Sequence, residues 1–149
     1  MAPKKSPASS SGINHAAILL LTIIHQLLGG LWYGQLFKDP WLHGVGKSLQ
    51  DVEPKKHPAL FLIPLVAGLL LNYVLAGILA LGPGPSVKRG VVWALILWGG
   101  VILPDTLTHH AFIGAPLMLT AIDTSKELVG LLISGVILGS WTANKTKAA

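Results

Sequence analysis

Four long apolar stretches occupy most of this 149-residue chain: about Ile13 to Leu31, Pro58 to Leu81, Gly90 to Pro104 and Leu128 to Trp141. So small a chain cannot bury four such stretches in one water-soluble core, which predicts lipid as the solvent. A span needs roughly 20 mainly apolar residues to cross about 30 Å of hydrocarbon. In lipid every backbone group must be satisfied within its own segment, and four short segments cannot close a barrel. The expected fold is all-α: a polytopic membrane protein built as a four-helix transmembrane bundle.

Composition points the same way, with 52% hydrophobic and only 11% charged residues and a mean hydropathy of +0.64. Spans are expected at about 13–36, 58–81, 88–109 and 121–141, with a loop at 38–57. Residues 1–12 are Ser/Pro/Lys-rich with no apolar period and read as a disordered tail; 142–149 reads as a short basic tail. The first apolar run is longer than a signal-peptide h-region and continues through Trp32 and Tyr33 without a small-x-small cleavage site, so it reads as a retained span.

The net charge is +5, but the basic residues fall in short pairs at span ends, as interface anchors do, and not in an aromatic-interleaved patch. No nucleic-acid partner is expected; the bilayer is. With no cysteine in the chain, disulfides, thiolate metal sites and cysteine nucleophiles are excluded. Four spans put both termini on one side with Lys4, Lys5, Lys88, Arg89, Lys145 and Lys147. The other side holds Lys38, Lys47, Lys55, Lys56 and Lys126 with all six acids. Six Lys/Arg against five lean toward cytoplasmic termini.

Small and polar residues recur at helical spacing: His15, Thr22, Gln26, Gly29 and Tyr33 in the first span, with His25 beside them; Gly68, Asn72, Ala76 and Ala80 in the second; Gly130 and Ser134, then Gly135 and Gly139, in the fourth. Such spacing lets membrane helices approach closely. His25 and Gln26 fall level with Asn72 and Tyr73, which marks a midplane hydrogen-bonding or binding point, with His25 able to carry a proton.

Length adds a second candidate. Gly90 to Pro104 is 15 residues, about 22 Å of helix, so the third span must run past Pro104 to about His109 and the fourth must begin near Ile122. Asp105, Thr108, His109, His110, Asp123, Lys126 and Glu127 then approach one leaflet, either as a polar recess or within the headgroup layer. Asp105 and His109, four apart, share a face; Asp123 and Lys126, three apart, can pair. Pro104 would free a carbonyl near Gly100 and help to open the recess. No metal is expected, because the spacing matches no zinc motif and adjacent histidines on a helix point about 100° apart.

Two segments carry a family resemblance. One is Gly29-Gly30-Leu31-Trp32-Tyr33-Gly34 with Leu36-Phe37-Lys38 and Trp41. The other runs from Trp98-Gly99 through Phe112-Ile113-Gly114-Ala115-Pro116 and Ile122-Asp123 to Gly139-Ser140-Trp141. Together they resemble the family catalogued as domain of unknown function 1761, small four-span membrane proteins found in bacteria and fungi. The chain departs from that pattern in Asp39-Pro40 and in His109-His110. The resemblance implies a fold, a size and a membrane, and no activity, cofactor or catalytic residue.

Three functions fit these residues. The first is a small transporter- or channel-like protein using the polar recess, working as a homo-oligomer. The second is an accessory subunit of a membrane complex. The third is a membrane enzyme acting on a lipid-like substrate, with Asp105, His109 and Asp123 as acid/base groups; it ranks last because no nucleophile arrangement accompanies them. The ligand and the organelle are not legible.

Overall fold

Asn14 opens the first helix: its side chain accepts the Ala17 N–H at 3.1 Å, satisfying one of the donors that a helix start leaves bare. In the computed structural model, which describes residues 12–53 and 56–141, this helix, α1 (His15–Leu31), passes straight into a π-helical turn, π1 (Trp32–Leu36). A bend at Phe37 leads to α2 (Lys38–Val45), ended by Gly46 in the left-handed region at φ 65. A 3-10 turn (Leu49–Val52) follows, then α3 (Ala59–Ala80) and α4 (Val87–Leu97). A second π turn, π2 (Trp98–Ile102), runs into α5 (Leu103–Phe112), and α6 (Leu117–Ser140) completes the chain. The described residues contain no strand. Both expected tails, Gly12 apart, lie outside the described residues.

The stretch read as a loop thus holds a helix. Gly44 of α2 sits against Leu119, where an added Cβ would come within 3.1 Å of the leucine Cβ. This contact docks α2 on the start of α6. Gly114 at φ 67 ends α5 in a left-handed cap, and Pro116, which has no N–H to lose, precedes α6.

Three helical stretches are long and apolar enough to cross a membrane: His15–Leu36, Ala59–Ala80 and Val87–Phe112. The fourth, α6, is 24 residues long but carries Asp123, Lys126 and Glu127. The helices divide into a hub and a shell. Along α6, ten residues from Leu119 to Gly139 are buried, and its exposed large apolar side chains are Leu117, Met118 and Val136. By contrast α1 turns Leu19, Leu20, Ile23 and Leu27 outward, and α3 turns out Leu62, Ile63, Val66, Leu70 and Val74. A helix covered by protein has no need of an apolar surface all round, which is why α6 can hold charges.

Glycine sets how tightly the hub is held. A Cβ at Gly90 of α4 would overlap the Gly135 carbonyl of α6, and one at Gly139 would stand 2.6 Å from the Ser86 carbonyl oxygen. Backbone therefore meets backbone, the close approach on which helix association in lipid depends. Ile18, Leu21, Leu75, Ala94, Leu131 and Leu138 fill the adjoining core. Arg89 seals this end by donating from Nη2 at 2.8 Å to the Leu79 carbonyl at the end of α3, which also accepts the Gly82 N–H at 3.2 Å. Gly12, Leu138 and Trp141 border one small cavity there, so the two ends of the described chain meet.

The opposite end is splayed. All four buried residues of α3, Asn72, Leu75, Ala76 and Leu79, lie in its second half. Its first half, which contains Pro64, leans away from α5 and α6, and a space opens there.

Candidate functional site

That space is a cavity of about 1310 Å³, larger than the roughly 300–1,000 Å³ usual for ligand pockets. Its wall is mostly apolar, from Leu42, Leu60, Phe61, Leu71 and Ile102, with Gln26, Tyr33, Thr106, Lys126 and Glu127 as polar points. Lys126 Nζ lies 2.7 Å from Glu127 Oε1, so the pair adds no net charge. The pairing of Asp123 with Lys126 expected from their spacing is replaced by this neighbour contact.

At the floor sits His25, 5% exposed. Its ring is inserted between two glycines: a Cβ at Gly130 would stand 2.9 Å from Cε1, and one at Gly68 would stand 3.7 Å from the His25 Cβ. Nε2 lies 3.0 Å from the Gly130 carbonyl and 2.9 Å from Ser134 Oγ. Ser134 Oγ donates to Asn72 Oδ1 at 2.6 Å, and Asn72 Nδ2 donates to the Gly68 carbonyl at 2.9 Å. Asn72 and Ser134 have no exposed surface. One chain of hydrogen bonds thus ties α1, α3 and α6 together below the cavity.

The residues expected to share the midplane separate into three places. His25 and Asn72 join this network, and Gln26 lines the cavity. Tyr73 belongs to neither group; its hydroxyl meets His15 Nδ1 at 2.9 Å.

The expected recess around Asp105 and His109 is not the arrangement found. Asp105, Thr108 and His109 are exposed, and Thr108 merely donates back to the Pro104 carbonyl at 2.7 Å. The inward residue is His110, 8% exposed: Nδ1 meets Thr120 Oγ1 at 2.9 Å, and Nε2 lies 3.6 Å from Asp123 Oδ2. The cause is the π turn. The face begun by Gly90 and Ala94 would run on in an α-helix through 101, 105 and 108–109. A π turn accommodates one extra residue, so the face continues instead through half-buried Ile102 and Thr106 to His110. Among the described residues no group of three His, Asp or Glu side chains is placed to hold a metal ion.

Both π turns open with a tryptophan that bonds the hub. Trp32 Nε1 donates to the Ile122 carbonyl at 3.0 Å, and Trp98 Nε1 donates to the Thr124 carbonyl at 2.7 Å. Tyr33 packs at a tilt against Trp41, and Phe37 against Trp32, each with ring centroids 5.0 Å apart. Nothing in the spacing pointed to these carbonyl contacts; the available signal was a Trp followed within two residues by glycine in both places, Trp32-Tyr33-Gly34 and Trp98-Gly99-Gly100.

The profile of a family described as protein of unknown function, DUF1761, matches residues 16–139. The chain belongs to DUF1761. No curated protein and no solved structure matches it. The segments that carried the resemblance have distinct jobs in this DUF1761 structure. Trp32 bonds α6, Gly30 and Trp41 line the cavity, Gly34 and Gly99 lie within the π turns, and Gly114 and Pro116 form the last tight turn. Gly139 admits α4, whereas Phe112 and Trp141 face outward.

Proposed function

We propose that this protein is a four-span membrane protein and a carrier for a small amphipathic solute, with the cavity above His25 as its binding vestibule. The single observation behind the carrier reading is that cavity: large, mainly apolar, marked by a few polar groups and closed below by the packed core. Four spans are supported by the length of α6. Its 24 residues reach about 36 Å at 1.5 Å per residue, enough to cross the hydrocarbon beside the three apolar stretches. The meeting of the two ends of the described residues at the sealed end fits an even number of crossings, and we place both termini in the cytoplasm. The vestibule forms within one chain, so binding needs no second copy.

A chain without cysteine suits an accessibility test in vesicles with a membrane-impermeant maleimide. Thr106→Cys, on the vestibule wall, should react from the face bearing α2. Ala94→Cys, fully buried in the seal, should react slowly from the face bearing the termini, because a carrier must open there in turn. An inert Thr106→Cys would overturn the vestibule. A reactive Thr106→Cys beside an Ala94→Cys closed to the terminal face would refute transport.

A further inference from the structure

The direction of every hydrogen bond at the cavity floor follows from one amide. Asn72 Nδ2 donates to the Gly68 carbonyl; turned round, the amide would set two oxygens against each other, so Oδ1 must face Ser134. The Ser134 proton is therefore committed to Asn72, and its oxygen can only accept from His25. The Gly130 carbonyl, the other neighbour of Nε2, also only accepts. His25 thus carries its proton on Nε2, and Nδ1 is left with a bare lone pair. No group among the described residues bonds Nδ1, and the side chain carrying it is more than nine-tenths buried and lines the cavity. Gly68 leaves space beside this nitrogen, which an added Cβ would fill, in van der Waals contact 3.9 Å from Nδ1.

The charge of the wall narrows what can enter. Four charged residues line the cavity, Lys47, Glu53, Lys126 and Glu127, two of each sign. Such a lining carries no net charge to draw in a bare ion, and the wall between these groups is apolar. We infer that the vestibule binds an uncharged amphiphile whose hydroxyl donates to His25 Nδ1 while its hydrocarbon body lies along the apolar wall. This assignment rests on the vestibule proposed above and specifies the chemistry of its ligand.

The test uses the full chain in lipid nanodiscs, with Thr106→Cys as reporter and two probes at equal membrane mole fraction: 1-decanol and its methyl ether, which has no donor. Decanol should slow maleimide labelling about threefold to tenfold more than the ether, the equivalent of one hydrogen bond inside a membrane. His25→Leu removes the acceptor at Nδ1 and supplies no other, while Ser134 keeps its donation to Asn72. It should erase the difference between the two probes. Gly68→Ala crowds Nδ1 without touching the network and should shrink the difference as well. Equal protection by alcohol and ether, or a difference that survives both substitutions, would overturn the assignment while leaving the vestibule intact. A Thr106→Cys that never reacts would defeat both.

Discussion

The two glycines flanking the His25 ring offer a matched pair of perturbations. Each sits within a helix, where replacing glycine by alanine gains about 1 kcal/mol of helix propensity. At Gly68 the new methyl meets the ring at ordinary contact distance, 3.7 Å from Cβ, so Gly68→Ala should keep most of that gain. At Gly130 the methyl would stand 2.9 Å from Cε1 and 3.2 Å from Nε2. The imidazole must then retreat from both the Gly130 carbonyl and Ser134. Two hydrogen bonds at about 0.6 kcal/mol each and an overpacking cost of about 1–3 kcal/mol outweigh the propensity term. Gly130→Ala should therefore lose about 1–3 kcal/mol while Gly68→Ala gains up to about 1 kcal/mol. Reversible unfolding by SDS titration in mixed micelles measures both. Equal effects, or a stabilised Gly130→Ala, would refute the claim that the ring is clamped between α3 and α6.

Gly90→Ala should be more damaging still, at least about 3 kcal/mol. Its Cβ overlaps backbone of α6 and not the end of a flexible side chain, so most preparations should fail to fold, as size-exclusion profiles in detergent would show. Trp98→Phe removes one indole bond to the Thr124 carbonyl at about 0.6 kcal/mol; the same SDS titration should show that small loss with no loss of helical circular dichroism. In the segment between α2 and α3, Asp51 accepts from Ser48 Oγ at 2.7 Å and Ser48 N at 2.8 Å. These bonds hold its carboxyl below the ordinary aspartate range. A lowered folded-state pKa stabilises above the unfolded value and ceases to do so as the pH falls through the folded one. Amide exchange at Ser48 should therefore accelerate, beyond the intrinsic trend, only under acid conditions, and Asp51→Asn should remove that pH dependence.

Much of the architecture was legible because glycine and polar residues recur at helical spacing. Gly130 and Ser134 fall on one face and do meet His25 and Asn72; Gly135 and Gly139 fall on another and do admit α4. What could not be read was any feature that depends on the helix leaving its 3.6-residue period. A recess at Asp105 and His109 requires an unbroken α phase to turn them inward, and π2 displaces that face by one residue, to Thr106 and His110. Pro104 and the Gly99-Gly100 pair signalled a disturbance, but they did not give its direction. The hub role of α6 was equally hidden, since hydropathy ranks its charged first half as the poorest candidate for the interior, whereas tertiary cover makes it the most enclosed.

The π turns have a consequence for how such a chain can change over generations. Each holds a single surplus residue, so an in-frame loss of one codon within Trp98–Ile102 would rewind that turn to plain α-helix and leave Thr106 and His110 facing α6. Rewinding the same turn with no residue lost would instead swing α5 by about 100° and carry Asp105 and His109 toward α6. A lineage could thus shed the surplus residue in one genetic event and keep the chemical character of that wall, with the hub and its glycine seam untouched.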